Sequence, residues 1–225
     1  MSDQGFEGEG STVSEATAVA CQAAGLAADT VMVEVMSEGG AAVPGERISG
    51  ARARVRVRAI PTEGLRGRSN LETMLRLMGI EAEVNVRRAR PGSDEEVGAA
   101  SDIPLLLEVE GADLGVLIGW RGESLRALQT VINLMLGDGG QTPGSPRLIV
   151  DVANYRQRRE QTVAQMALRM AAGVARSGRP VTLEPMQPYE RRAVHLALAS
   201  DASVSTESTG VDAERRVTIR PSRES

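Results

Sequence analysis

Two groups of side chains in this 225-residue chain have the types and spacing to hold a polyanion. The first is Gly119-Trp120-Arg121-Gly122, preceded by the apolar run Val116-Leu117-Ile118 and followed by a helical pattern. Glycines beside a helix start let a foreign backbone approach without meeting a Cβ atom. The unpaired amides of the new helix favour an anion there, and a nucleic-acid phosphate is such an anion. The second group is Arg191 and His195, four residues apart and so on one helix face. The guanidinium offers a planar fork for phosphate, and the imidazole can hydrogen-bond to or stack on a base. Arg192 stands beside them, and Arg156, Arg158 and Arg159 start a long helical pattern; all four are placed to extend a phosphate track.

Each of these residues also has a plainer reading. The glycine pair suits a tight turn between two helices, and Arg121 suits a solvated loop. Trp120 is a stacking platform for a base, worth about 1–3 kcal/mol, or it packs against its own domain or a partner. Arg191 pairs with an acid such as Glu184, and His195 satisfies a backbone group. Arg192 and the three arginines of the helix start are ordinary solvated positions. On Arg52, Arg54, Arg56 and Arg58, which share one face of an alternating strand, the plainer reading is preferred, with Glu34 as a neutralising neighbour. Cys21 on an Ala-rich helix reads as core.

Composition narrows the possibilities. The side chains are small, with one Phe, one Trp and two Tyr, so several thin cores are expected rather than one large one. The 26 basic residues are all arginine. Net charge is −4, which argues against a globally basic nucleic-acid binder. Residues 1–110 carry 11 Arg against 18 acids, whereas residues 111–225 carry 15 against 12. The C-terminal half is therefore the place for a polyanion. One cysteine excludes an internal disulfide and any cysteine-rich metal site. With no apolar leader and no run of membrane-spanning length, the chain reads as cytoplasmic. No Ser, Cys or carboxylate constellation accompanies the single His, and the glycine loop lacks the Gly-Lys-Ser/Thr ending of a P-loop. A non-catalytic protein without metal or cofactor is expected.

The elements that must position these side chains follow from punctuation and period. Residues 1–10 read as a disordered tail. Thr12 to Glu15 is a capping-box pattern opening a helix that stops at Gly25, and Val31–Met36 is a strand. Residues 51–59 alternate with a period of two, giving a second strand. Pro61 to Gly67 reads as linker, and Ser69 to Glu72 as a capping box opening a helix with Leu71, Met74, Leu75 and Met78 inward. Strands follow at Glu81–Arg88 and Leu105–Glu110 around a loose loop, then a short helix over Ala112–Ile118. The helix after Gly122 is expected to bury Leu125, Leu128, Val131, Ile132, Met135 and Leu136. Leu148–Val152 is the next strand. Asn154 is the expected N-cap of a helix to Ser177 that buries Val163, Met166, Ala167, Met170 and Val174. A strand at Pro180–Leu183, a helix from Pro188 and a closing hairpin, Val204–Ser208 with Arg216–Arg220, complete the chain.

The fold class expected is therefore α+β. Its divisions are a tail at 1–10, an αββ domain at 11–60, a linker at 61–68, an αββααβ domain at 69–153 and an αβαββ domain at 154–221. The middle order, with Gly-x-x-Gly between its paired helices, resembles the type II KH fold, whose loop clamps a single strand of nucleic acid. Leu183 to His195, with Arg191 and His195 in the signature positions, resembles an Arg-x-x-x-His nucleic-acid-binding domain. Val204 to Gly210 and Arg215 to Ile219 are similar to that domain's closing hairpin.

Together these resemble the Jag/KhpB family, over nearly all of residues 11–220 and most specifically over the last 110. The resemblance implies a bacterial, non-catalytic protein that binds single-stranded RNA through Gly119, Trp120, Arg121, Gly122, Arg191, His195, Arg192 and Arg156. It also implies a small single-KH protein as a partner, and a role in cell elongation or envelope assembly by post-transcriptional regulation. The alternative is an adaptor that docks a second KH protein, with RNA contact incidental; the oligomeric state stays open. Two departures stand out. Trp120 replaces the lysine usual in the family's Gly-x-x-Gly loop, and the turn at Gly39–Gly45 lacks the usual Lys-Lys-Gly-Phe.

Overall fold

The computed structural model describes residues 5–39, 52–89, 104–137, 148–211 and 214–222. The readings made for the first four residues, for residues 40–45, for Pro91–Asp102 and for Asp138–Pro146 fall almost wholly outside these. The chain is α+β and divides into two compact units, one ending at Ala153 and the other beginning at Asn154.

The first unit opens with β1 (Phe6–Gly10), α1 (Val13–Ala24), β2 (Val31–Ser37) and β3 (Ala53–Ala59), in an antiparallel sheet of order β1-β3-β2. Residues 6–10 are thus a strand, correcting the expectation of a disordered tail over 1–10. Glutamate and glycine there alternate with the pleat. Glu7 and Glu9 point outward to the arginines of β3, while Gly8 and Gly10 lie against α1. A Cβ on Gly8 would sit 2.2 Å from the Ala16 carbonyl oxygen and 2.7 Å from the Ala20 nitrogen. Gly8→Ala is therefore expected to destabilise this unit by roughly 1–3 kcal/mol, read from a urea titration. The arginine stripe is neutralised from both sides. Arg54 and Arg56 meet Glu7 at 3.3 and 2.6 Å, and Arg58 meets Glu34 at 3.0 Å. The hydrogen bond and charge of Arg56 hold the Glu7 carboxyl below its usual range. These pairs are exposed and contribute little stability, but they leave the stripe a poor track for phosphate.

The same unit continues with α2 (Thr62–Leu77), β4 (Ala82–Arg88), β5 (Leu105–Gly111), α3 (Gly115–Ile118), α4 (Glu123–Met135) and β6 (Leu148–Val152). β4 runs antiparallel and β6 parallel to the central β5. The expected linker at 61–68 is instead the first turns of α2, and the Ser69–Glu72 pattern lies inside that helix. Gly64 and Gly67 are the source of the difference. Both are buried, and a Cβ on Gly67 would meet Leu148 Cδ1 at 2.1 Å. They let α2 approach the sheet closely and do not mark a break. Ile60 N–H donates to the Thr30 carbonyl and Arg68 Nη1 to the Asp29 carbonyl, so α2 and the residues leading into it are tied back to the turn before β2.

α4 buries Leu125, Leu128 and Ile132 as expected, whereas Val131 and Met135 are exposed together with Leu134. The helix is rotated by a polar contact that the apolar period did not reveal. Asn133 donates from Nδ2 to the Leu148 carbonyl and accepts from Leu148 N–H at Oδ1, and Gln129 Oε1 accepts from Val150 N–H. These amides satisfy the outer edge of β6, which turns Val131 and Met135 away from the core.

The second unit is α5 (Tyr155–Ser177), β7 (Val181–Thr182), α6 (Pro188–Leu198), β8 (Val204–Thr209) and β9 (Arg216–Pro221), with sheet order β7-β9-β8, all antiparallel. Its core joins Val163, Ala167, Ala171 and Val174 of α5 to Val194 and Leu198 of α6 and to Val204, Val217 and Ile219 of the sheet. Met170 is exposed rather than inward. Asn154 occupies the N-cap position in a left-handed conformation, φ 55°, and its side chain makes no capping hydrogen bond.

Candidate nucleic-acid interface

The glycine loop is one continuous turn between α3 and α4. Gly119 has φ 67°, and a Cβ there would lie 2.2 Å from Ser124 Oγ and 3.0 Å from Ser124 N. Glycine is thus demanded twice, by torsion and by the first turn of α4. Arg121 (φ 50°) and Gly122 (φ 81°) are both left-handed, and a non-glycine residue there carries strain of about 1–3 kcal/mol. Gly122 is the N-cap of α4 and offers no side chain to its first turn, where the Glu123 N–H donates to the Trp120 carbonyl within the loop. Glu123 in that turn opposes an anion, and Arg121 offsets it. Trp120 is 72% exposed, and the Arg121 guanidinium carbon lies 5.1 Å from its ring centroid. The loop therefore displays an aromatic plane and a cation together, the pairing that single-stranded nucleic acid meets by stacking and phosphate contact.

The second site is built on α6. Its start is fixed by a reciprocal capping box between Gln187 and Glu190, with Pro188 at the first position. Glu190 is only 2% exposed; its Oε2 accepts from Gln187 N–H, and its Oε1 accepts from Arg159 Nε at 2.5 Å. Burial pulls the Arg159 pKa down, but the Glu190 hydrogen bond and charge more than reverse this and leave it raised. Arg159 is therefore a structural anchor and not part of the phosphate track considered for it. Arg156 lies 5.2 Å over the Tyr189 ring at the same end of α6, and Arg192 is exposed.

Arg191 and His195 are both half-buried on one face of α6. Arg191 Nη1 donates to the Met186 carbonyl at 2.8 Å, and His195 Nδ1 is 2.7 Å from Thr206 Oγ1 on β8. Neither contact is the plainer one expected, an acid for Arg191 or a backbone group for His195. Burial, and then the Arg191 charge, hold the His195 pKa below its ordinary 6.5. The neutral ring is thus favoured by folding. His195 contributes stability that is fully present above pH 6.5 and lost as pH falls from there through the folded pKa. Urea midpoints measured from about pH 7.5 downward should show this loss, and His195→Gln should flatten it.

Three residues that sequence reasoning passed over belong to this face. Thr206 and Ser208 follow buried Val204 at every second position of β8 and so face α6. Arg215 donates from Nε to Ser208 Oγ at 3.1 Å, and its charge joins burial in lowering the Arg191 pKa. The period-two pattern of Val204, Thr206 and Ser208 was the available signal. Among the described residues no group of three or more His, Cys, Asp or Glu side chains could hold a metal ion, and no helix is long and apolar enough to cross a membrane.

This second unit is of the Arg-x-x-x-His domain class, whose family profile matches residues 161–221. A longer stretch is similar to curated bacterial proteins named RNA-binding protein KhpB. The one from Clostridium symbiosum is 41% identical over 118 residues, 52% of this chain and 52% of that protein. The one from Lactiplantibacillus plantarum is 30% identical over 132 residues, 56% of this chain and 40% of that protein. The one from Bacillus subtilis is 34% identical over 114 residues, 49% of this chain and 53% of that protein. Over this shared stretch the chain is similar to the Jag/KhpB family. It spans about half the length of the curated relatives it matches.

Proposed function

We propose that the protein binds single-stranded RNA without catalysing a reaction on it, using two grips on one chain. The observation that carries this reading is the second site, where Arg191 and His195 share a half-buried face of α6 in a unit matched by the Arg-x-x-x-His domain profile. The names of the curated relatives support RNA as the ligand. The first grip is a KH-type loop. Gly119 and Gly122 let the sugar–phosphate strand approach, Arg121 takes a phosphate, and Trp120, where the family usually has lysine, stacks on a base. Arg192 and Arg156 extend the second grip. Joining two weak grips on one chain raises their effective concentration for each other, so a net charge of −4 is no obstacle to useful affinity.

The direct test is fluorescence anisotropy of a labelled single-stranded RNA against the full chain, from roughly 50 to 300 mM salt. Each phosphate contact contributes a slope of about −0.7 in log affinity against log salt. A slope of about −2 or steeper, lost in part from each single-site variant, is the expected result. A salt-independent or undetectable interaction rejects the proposal.

One observation favours a second reading, an adaptor that docks another protein. Val131, Leu134 and Met135 form an exposed apolar strip on α4, the kind of surface a second KH protein would cover. Stable co-elution with a small KH protein in RNA-free buffer, unchanged by the loop variants, would establish that reading instead.

A further inference from the structure

Most arginines of this chain whose contacts are described meet a carboxylate, as Arg54, Arg56, Arg58, Arg87, Arg159, Arg216 and Arg220 do. Arg191 and Arg215 are different. Each donates to a neutral oxygen, the Met186 carbonyl and the Ser208 hydroxyl respectively. Met186 ties them together: its carbonyl accepts from Arg191 Nη1 at 2.8 Å and its N–H donates to the Arg215 carbonyl at 3.1 Å, and the Arg215 charge follows burial in lowering the Arg191 pKa. Glu190, the acid nearest Arg191 in sequence, has both oxygens engaged, by Arg159 and by the Gln187 amide, and its charge only partly offsets burial and Arg215 at Arg191. Among the described residues no carboxylate bridges the pair. Half-buried Arg191 and exposed Arg215, held near each other, repel unless an anion enters between them, and a phosphate accepts from two such forks at once.

We infer that Arg215, held by Ser208, is the second jaw of a phosphate clamp whose first jaw is Arg191. This rests on the RNA-binding reading of the α6 site and extends it to the hairpin. The clamp joins α6 to the strand end opposite it, with His195 and Thr206 one helical turn and two strand residues further along. It grips the backbone and not a base, so it adds affinity without sequence preference.

The test is equilibrium binding of a labelled uridine dodecamer to the full chain, comparing wild type with R215Q, R191Q, the double variant and R216Q. Arg216 supplies the charge control, because it pairs with exposed Glu214. R215Q should weaken binding about tenfold and flatten the salt slope by about 0.7, and R216Q should do neither. Because both jaws hold one phosphate, the double variant should lose markedly less than the product of the two single losses. S208A should reproduce part of the R215Q effect, and matched thermal melts guard against a folding defect. If R191Q weakens binding while R215Q behaves like R216Q, the clamp is overturned and the RNA-binding reading stands. If wild type fails to bind the dodecamer, both fall.

Discussion

Gly122→Asp should cut affinity for single-stranded RNA by about a hundredfold at moderate salt and leave the second unit folded. The position is left-handed, φ 81°, which aspartate tolerates better than most residues, so the loop itself should persist. The new carboxylate would place a negative charge at the start of α4, in the place proposed for a phosphate. It would also sit beside Glu123 and capture Arg121, removing the cation that offsets that glutamate. Gly122→Ala separates the effects, since it carries the torsional cost without the charge and should lose much less binding. Anisotropy titrations of the two variants, with far-UV circular dichroism as the folding control, read the difference. Equal losses would assign the effect to distortion alone.

Glu190→Ala should destabilise the second unit by about 3–5 kcal/mol, the largest stability effect expected of any single substitution discussed. Glu190 is 2% exposed and satisfies two groups, the half-buried Arg159 guanidinium and the Gln187 amide at the start of α6. Removing it leaves a half-buried cation unpaired and frays the helix that carries Arg191 and His195. RNA binding should fall with it, though Glu190 touches no ligand in this account. Arg159→Met in the Glu190→Ala background should recover part of the stability, because the orphaned charge is then gone. Urea titration with hydrogen exchange of the α6 amides distinguishes loss of this unit from loss of the whole chain.

Much of this arrangement was legible in the sequence, and the failures share a cause. Period and capping placed α1, β3, β5, α4 and α6 close to their observed spans, because each presents an apolar stripe against a marked end. Glycine was the misleading residue. In β1 and at Gly64 and Gly67 of α2 it serves close packing of a helix on a sheet, yet composition alone reads it as tail or linker. Polar residues with hidden partners made the second class of error. Gln129 and Asn133 turned α4, and Glu190 claimed Arg159 from the exposed basic set. Such pairings join residues 15 or more apart in sequence, and no local pattern records them. For the same reason the sequence offered Arg191 and His195 as a pair, and the period of β8 marked the face of Ser208, but nothing local recorded that Arg215 bonds Ser208 there.

The claim at the centre is that RNA lies on the α3–α4 loop and on the α6–β8 face of the same chain. Photocrosslinking to a single-stranded RNA carrying 4-thiouridine, followed by mass spectrometry of the modified peptides, tests it most directly. The account predicts crosslinked peptides containing Trp120 and peptides containing His195 or the Thr206–Arg215 hairpin, both lost at high salt. Crosslinks confined to the Arg54–Arg58 face of β3, or spread without preference over the chain, would contradict it.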